Sequence, residues 1–255
     1  MKVLLTNDDG IHAQGLWALY NRFADAHHVS VVAPDRERSA IGHAISLNQP
    51  LRAIRVSPNG GYNGYEVNGT PADCVKLAMA ELLSDRPDVV IAGINPGANV
   101  GANLNYSGTV AAAKEAALNG VIGIAVSIEG QVTEYYDEVA RFVLQLCDIV
   151  TIKGLPFGTF LNVNIPSRAM SEITGVRISR QGTGLLSEYV SDTRPDREHF
   201  PMRNRIIAGL STLNIAEIAV LAALRPERQA RLRVHSRQPQ AWSAGLSATT
   251  GEELD

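Results

Sequence analysis

Residues 2–35, which read KVLLTNDDGIHAQGLWALYNRFADAHHVSVVAPD, decide the fold class of this chain. Residues 2–6 form a short apolar run typical of a buried strand, and residues 14–24 repeat their large apolar side chains with helical spacing. Residues 28–33 are a second, β-branched run. A strand, a helix and a strand in this order predict a parallel βαβ unit with a right-handed crossover.

The same alternation continues to about residue 168. Thr70 suits the N-cap of a helix, Pro71 its first position and Asp73 its first turn. Further strands are predicted at 88–94, 123–128 and 160–165, and further helices at 108–120 and 134–152. Residues 1–168 therefore predict an α/β core with a Rossmann-like, doubly wound and mostly parallel sheet.

Two regions depart from this alternation of strands and helices. Residues 44–67 hold the short apolar segments AISL, LRAIRV and YEVN between turn residues, which predicts a β-hairpin insertion. Residues 169–224 are expected to form a C-terminal arm and helix, with a strand at 176–180, a polar arm at 181–204 and a helix near 215–224. Residues 225–255 are expected to be a divergent, solvated or disordered tail.

Composition and charge limit the partners of the chain. Of its 255 residues 45% are apolar and 5% aromatic, so its core must be mainly aliphatic, as in buried parallel sheets. A net charge of -3 favours neither a nucleic-acid polymer nor a membrane as a partner. No leader or membrane-spanning run is recognisable, and Cys74 and Cys147 lie in apolar helical patterns typical of buried thiols. We expect a cytoplasmic protein.

Side chains that carry oxygen follow three of the predicted strands. The three sets, in chain order, are Asn7, Asp8 and Asp9; Asp35 and Ser39; and Asn95, Asn99, Asn103 and Asn105. Ligands bind at the carboxyl ends of such strands, so these side chains are expected to converge. Adjacent carboxylates with neutral oxygens suit Mg²⁺, Mn²⁺ or Ca²⁺, which would relieve the repulsion between Asp8 and Asp9. The alternative is ordinary turn and cap chemistry for Asp-Asp-Gly.

The segment Tyr106-Ser107-Gly108-Thr109 opens an alanine-rich helix. Its hydroxyls and free backbone N–H groups predict a phosphate site at the positive end of the helix dipole. Ser107 or Thr109 is about equally suited to be only an N-cap. Beside a metal site, a phosphate site indicates phosphoryl chemistry.

Nearby ionisable residues and missing motifs narrow this interpretation. His12 and His43 flank the region and could move protons, but a lone loop histidine is more often a surface residue. Lys114 and Glu115 are expected on the solvated or interface face of the helix. The chain has no P-loop motif, no G-x-G-x-x-G after its first strand and no G-x-S-x-G. These absences argue against a P-loop ATPase, a dinucleotide fold and a serine nucleophile elbow.

Six blocks of sequence carry a family resemblance. In chain order they are LLTNDDGIHAQG, VVAPDRERSA, NGTPADCV, AGINPGANVG, YSGTVAAAKEA and LNVNIP. Together they resemble the stationary-phase survival protein SurE family of metal-dependent nucleotidases, from residue 1 to about residue 166. The family commonly has acidic residues after GANLG, whereas this chain has GANLN at residues 101–105, and the resemblance fades after about Gly184.

The resemblance implies hydrolysis of nucleoside 5′- and 3′-monophosphates to nucleoside and phosphate, and some members also trim short polyphosphate. It implies one Mg²⁺ or Mn²⁺ ion per subunit, bound by residues matching Asp8, Asp9, Ser39 and Asn95. Asp8, Asp9 and Asn95 are expected to be catalytic, and the phosphate is expected to contact Asn7, Asn95, Ser107, Gly108 and Thr109. A water molecule is the expected nucleophile, since no side-chain nucleophile stands out. The family also implies a homodimer or homotetramer in which a C-terminal oligomerisation arm, a hairpin, is exchanged between subunits. Residues 181–204 are where this arm is expected in the present chain.

Three other interpretations compete with this one. A non-catalytic, metal-dependent nucleotide sensor would use the same fold and release no phosphate. A receiver domain also ends its first strand in a carboxylate pair, but no phosphoacceptor aspartate follows the third strand here. A nucleotide-sugar transferase would need a sugar acceptor.

Overall fold

The fold was determined from a computed structural model that describes residues 1–57, 63–130, 134–179 and 181, and the backbone of residues 215–222. The helices are α1 (Gln14–Phe23), α2 (Pro71–Leu77), α3 (Gly108–Leu118) and α4 (Tyr136–Lys153). The strands are β1 (Lys2–Thr6), β2 (His28–Pro34), β3 (Ala53–Val56), β4 (Gly64–Val67), β5 (Val89–Pro96), β6 (Ile122–Ile128), β7 (Phe160–Ile165), β8 (Ile173–Ser179) and β9 (Ile215–Ala222). A π-helical turn, Ala78–Leu82, extends α2, and 3₁₀ turns lie at Gly101–Asn105 and Met170–Glu172.

These strands form one mixed sheet with the order β3-β4-β2-β1-β5-β6-β7-β9-β8. The strands from β4 to β9 in this order run parallel, and the two edge strands are antiparallel to their neighbours. From β1 the chain winds outward to β2 and β4, and it then returns to β5 on the other side of β1. The winding direction therefore reverses between β1 and β5, which is where a doubly wound sheet binds its ligand. The predicted fold class is confirmed.

Two helix layers bury the sheet. Helices α1 and α4 contact each other on one face, over a cluster that includes Leu5, Ile91 and Val126. Helices α2 and α3 pack on the other face, over Leu4, Val90 and their neighbours. Thr70 is the N-cap of α2, as predicted, and the structure adds a capping box, because the side chains of Thr70 and Asp73 each accept the backbone N–H of the other. The aliphatic core that the composition requires is thus divided between two faces.

Glycine allows α3 to lie unusually close to the sheet. A Cβ atom added to Gly123 of β6 would lie 2.1 Å from the carbonyl oxygen of Ala113 in α3. A similar approach occurs at the start of α1, where a Cβ on Gly15 would lie 2.3 Å from the carbonyl oxygen of Ile94. The Gly15 contact holds the start of α1 against the carboxyl end of β5, and the Gly123 contact holds the middle of α3 against β6.

Two details of the sequence prediction are wrong. Residues 44–47, AISL, are not a strand, because the amide and hydroxyl of Ser46 donate to the Asp73 carboxylate at 3.0 and 2.8 Å. The hairpin consists of β3 and β4 alone. The helix expected near 215–224 is also wrong, since Ile215–Ala222 is strand β9, paired with β7 and β8. A short apolar run such as IAEIAVLA fits either state by periodicity, and only the neighbouring strands decide.

The remaining C-terminal predictions are tested only in part. The strand expected at 176–180 is confirmed for residues 176–179, which belong to β8, Ile173–Ser179, while residue 180 lies outside the described residues. The polar arm, apart from Gln181, and the tail at 225–255 lie outside the described residues. The division into a core, an arm and a tail stays a prediction.

Candidate metal and phosphate site

A tight turn after β1 presents the carboxylate pair. The side chain of Asn7 closes this turn, because its amide donates to the carbonyl of Gly10 at 2.9 Å and its oxygen accepts the Gly10 N–H at 3.2 Å. Gly10 has a φ of +100° and lies against the backbone of Arg36, so a side chain there would be strained. Asn7 is buried and its polar atoms are used within the turn. Its predicted contact with phosphate stays a prediction.

Asp8 is buried against the N-terminus of α3. Its Oδ1 accepts a hydrogen bond of 2.5 Å from the hydroxyl of Thr109. A Cβ on Gly108 would lie 2.8 Å from the Cβ of Asp8, so only glycine allows this approach. Burial raises the pKa of Asp8, while the hydroxyl and amide of Thr109 and the amide of Gly108 act to lower it. Asp8 is therefore a carboxylate held in place by a helix end.

Asp9 carries an oxygen without a partner. Its Oδ2 is buried and makes no hydrogen bond within the described part of the chain. Burial, followed by the charges of Asp8 and Glu37, raises the pKa of Asp9 to about 7. Among the described residues, no lysine or arginine forms an ion pair with Asp8 or Asp9. Two adjacent carboxylates without a compensating positive side chain, one with an unpartnered oxygen, fit a hard divalent cation.

Asn95 lies at the carboxyl end of β5, the strand next to β1. Thr6 of β1 pairs with Ala92 of β5, so Asp9 and Asn95 each lie three residues beyond neighbouring strand positions. The side-chain amide of Asn95 donates to the carbonyl of Gly97 at 2.6 Å. This bond uses the nitrogen, which leaves the side-chain oxygen as the atom that could bind a cation.

Ser39 belongs to a loop that is hydrogen-bonded to the turn carrying the Asp8–Asp9 pair. The backbone N–H of Arg38 donates to the carbonyl of Asp8 at 2.7 Å, which joins the loop after β2 to the turn after β1. Ser39 is exposed, and its hydroxyl donates to Glu37 at 2.5 Å. No cluster of three or more His, Cys, Asp or Glu side chains suited to a metal occurs in residues 1–57, 63–130 and 134–179. The candidate site has only two carboxylates, and its other two proposed ligands, Ser39 and Asn95, are neutral.

The polar groups at the start of α3 already have partners. Ser107 is the N-cap, and its oxygen accepts the N–H of Val110 at 3.2 Å. The Thr109 hydroxyl bonds to Asp8, as described above. The N-cap alternative is therefore correct for Ser107. Phosphate binding by Ser107, Gly108 and Thr109 stays a prediction, since a capped helix end also attracts an anion.

Two surface assignments from the sequence are wrong. Glu115 is not solvated, because only 6% of it is exposed and its carboxylate binds three side chains. His43 donates to it at 2.8 Å, Asn119 at 3.0 Å, and the Lys76 ammonium lies 3.5 Å away. His43 is accordingly half-buried, whereas His12 is exposed as expected. This cluster ties the loop that follows Ser39 to α3, and no local pattern indicates it because its members are far apart in sequence.

The Glu115 cluster predicts a dependence of stability on pH. The hydrogen bond from His43, more than any other contact, lowers the pKa of Glu115 from its usual 4.5. A carboxyl with a lowered pKa stabilises the fold above its unfolded pKa, and this contribution is lost as the pH falls through the folded value. Glu115→Gln is expected to cost roughly 2 kcal/mol at pH 7 and to flatten the loss of stability below about pH 4.5. Urea unfolding from pH 7 to 3 measures both effects.

The exposed Glu81 offers a matched control. Glu81→Gln removes a carboxylate of the same kind from the adjoining α2 extension and is expected to change stability by less than about 0.5 kcal/mol. Equal effects of the two variants would contradict the role given to Glu115.

Asp9 gives a second prediction, in which stability and metal binding change in opposite directions. Asp9→Asn is expected to stabilise the metal-free protein by roughly 1–2 kcal/mol, because it removes a partly buried charge beside Asp8. The same change is expected to reduce the stabilisation that Mn²⁺ gives to the native chain. Thermal unfolding in EDTA and in Mn²⁺ measures both. A lower melting temperature in EDTA, or an unreduced response to Mn²⁺, would contradict this account of Asp9.

Fold and site together define a class of protein: a doubly wound α/β protein with a carboxylate pair suited to a divalent cation at its ligand edge. The family model described as survival protein SurE matches residues 3–188 of this chain. The chain therefore belongs to the SurE family, and the resemblance seen in the sequence is confirmed.

Curated relatives and a solved structure support this membership. The 5′-nucleotidase SurE of Desulfatibacillum aliphaticivorans is 57% identical over 188 residues, which cover 74% of each chain. That of Syntrophobacter fumaroxidans is 50% identical over 199 residues, covering 78% of this chain and 80% of the relative. The crystal structure of the SurE protein from Aquifex aeolicus matches with a TM-score of 0.66 and 38% identity, covering 71% of this chain and 73% of that one.

A second family model matches the C-terminal part of the chain. It is described as DNA recombination-mediator protein A and matches residues 156–222. This stretch overlaps the SurE match up to residue 188 and includes β7, β8 and β9. It covers a minor part of the chain and assigns it to no second family.

Proposed function

We propose that this chain hydrolyses nucleoside 5′- and 3′-monophosphates to nucleoside and phosphate, using one Mg²⁺ or Mn²⁺ ion per subunit. The observation that carries the proposal is the Asp8–Asp9 pair at the reversal point of the sheet, in which Asp8 is buried and Asp9 has a buried oxygen without a partner among the described residues. The curated relatives, which are named 5′-nucleotidases, support the nucleotidase class.

In this proposal the cation is held by Asp8, Asp9, Ser39 and Asn95. Bound there, it would balance the two carboxylates and polarise a phosphoryl oxygen. The Ser39 hydroxyl, which bonds to Glu37 in the structure, would turn towards the cation. Asn95 would bind through its side-chain oxygen, because its side-chain nitrogen already bonds to the carbonyl of Gly97. Asp8 needs the least adjustment, because Thr109 already fixes it.

The remaining residues orient and stabilise charge. The bond from Thr109 sets the position of Asp8 before any substrate binds, so little reorganisation is needed during the reaction. The positive end of the α3 dipole favours the anionic phosphate beside the pair. The N–H groups of Gly108 and Thr109 would then share their interaction between Asp8 and phosphate. A water molecule completes the hydrolysis as nucleophile.

The direct test is phosphate release from a panel of nucleoside 5′- and 3′-monophosphates in Mg²⁺, in Mn²⁺ and in EDTA. Release in either metal, stopped by EDTA and restored by added metal, is the expected result. Short polyphosphate and a sugar phosphate in the same panel define the substrate class. Metal-dependent binding of nucleotide without phosphate release would instead favour the sensor.

We propose a homodimer or homotetramer in the cytoplasm, in keeping with the buried free thiols of Cys74 and Cys147. Within the described residues, no helix is both long enough and apolar enough to span a membrane. Light scattering after size exclusion tests the assembly.

The match to a model described as DNA recombination-mediator protein A makes single-stranded DNA a useful addition to the binding panel, in which we expect no binding.

A further inference from the structure

Three buried polar side chains face α3 from the middle of the sheet. Asn162 and Asn164 of β7 and Ser127 of β6 are each 0% exposed, at positions where a parallel sheet normally carries apolar residues. The alternate residues of β7, Leu161 and Val163, belong to the cluster on the opposite face. Asparagine in such a place is costly unless its groups are hydrogen-bonded, so its presence needs a specific partner.

That partner is one residue of the loop between β5 and α3. The side chain of Asn164 accepts the backbone N–H of Asn99 at 2.8 Å and donates to the Asn99 carbonyl at 3.0 Å. Asn162 donates to the same carbonyl at 2.9 Å. The side chain of Asn99 donates to the Ser127 hydroxyl at 2.8 Å. The amide of Asn164 thus pairs with Asn99 as a neighbouring strand would.

This loop connects the candidate metal ligand Asn95 to the N-terminus of α3. Asn99 lies four residues after Asn95 and eight before the N-cap Ser107. The backbone N–H of Gly97 also donates to the carbonyl of Ile128 at the end of β6, at 2.8 Å. The path of the loop is therefore set by bonds to β6 and β7, on the side of Asn95 away from β1.

We propose that Asn99, Asn162, Asn164 and Ser127 form a positioning clasp that holds the loop so that Asn95 faces the Asp8–Asp9 pair. None of the four needs to touch cation or substrate. The clasp acts through the backbone of the loop, and it rests on the proposed role of Asn95 as a metal ligand. Residues that orient a metal ligand commonly affect metal affinity by 10-fold or more, which makes the clasp measurable.

The test replaces Asn164 and compares it with its neighbour in β7. Asn164→Ala removes both bonds to Asn99, and Asn164→Asp keeps the acceptor at similar size. Val163→Ala is the matched control, because Val163 is equally buried but faces away from the loop. Each variant is measured for melting temperature, Mn²⁺ affinity by calorimetry, amide hydrogen exchange of residues 96–105, and kcat and KM.

Asn164→Ala is expected to weaken Mn²⁺ binding roughly 10-fold, to speed exchange in residues 96–105 and to lower kcat more than it raises KM. Asn164→Asp is expected to lie between it and the native chain. Val163→Ala is expected to lower the melting temperature while leaving Mn²⁺ affinity and loop exchange close to native. Native Mn²⁺ affinity and native exchange in folded Asn164 variants would overturn the proposal, as would an equal loss of affinity in Val163→Ala.

Two further readouts keep the test decisive. If neither Asn164 variant folds, Ser127→Ala removes only the bond to the Asn99 side chain, and an Mn²⁺ affinity weakened about threefold is expected. Unchanged affinity in Ser127→Ala would overturn the clasp. If the native chain releases no phosphate, the proposed function fails, while Mn²⁺ affinity and loop exchange still decide whether the clasp exists.

Discussion

Asp8→Asn is expected to lower phosphate release by roughly 100-fold or more while the chain stays folded. The substitution removes one of two charges that face the proposed cation but keeps an oxygen that can accept the hydroxyl of Thr109. Because burial raises the pKa of Asp8, the neutral amide is also not expected to destabilise the metal-free fold. Activity is therefore lost through chemistry and not through unfolding.

The measurement is kcat/KM for a nucleoside monophosphate, with melting temperatures taken on the same samples. Asp85→Asn serves as the control, since Asp85 is exposed and pairs with Lys2, which precedes the buried part of β1. The control is expected to retain native activity. Native turnover together with native Mn²⁺ affinity in Asp8→Asn would remove Asp8 from the site.

Gly123→Ala is expected to destabilise the chain by about 3 kcal/mol. The added Cβ would meet the carbonyl oxygen of Ala113 at 2.1 Å, and that atom belongs to a helix backbone that cannot move alone. Relief requires α3 to shift away from β6, which would also loosen the bond between Thr109 and Asp8. Weaker Mn²⁺ binding is therefore expected with the loss of stability.

Urea unfolding and Mn²⁺ titration measure the two effects. Gly175→Ala in β8 is the matched control, because a Cβ there meets nothing within 4 Å, and a change within about 0.5 kcal/mol is expected. If Gly123→Ala were as mild as Gly175→Ala, the close packing of α3 on β6 would not be what positions the helix.

Much of the core follows from local sequence signals. The run from β1 through α1 to β2 has the periodicity of a βαβ unit, and Thr70, Pro71 and Asp73 carry the chemistry of a capped helix start. Once the parallel topology is accepted, strand ends must meet at one edge. The grouping of the Asp8–Asp9 turn with Asn95 follows from that rule alone.

The features that sequence reasoning missed depend on distant partners. Glu115 looks like a solvated helix residue until His43, which lies 72 positions earlier, is seen to pair with it. The alternation F-L-N-V-N-I in β7 was the one available signal for the asparagine clasp, but its partner Asn99 lies in a loop without periodicity. Residues 215–222 form strand β9 because they pair with β7 and β8, and the local sequence IAEIAVLA does not indicate this pairing.

The central claim is that Asp8 and Asp9 hold a divalent cation on which phosphate release depends. Titration of the metal-free chain with Mn²⁺, with phosphate release from a nucleoside monophosphate measured at each point, tests it most directly. The account predicts one Mn²⁺ per chain, activity proportional to its occupancy, and loss of both in Asp8→Asn. Phosphate release by the metal-free chain, or full Mn²⁺ binding by Asp8→Asn, would contradict it.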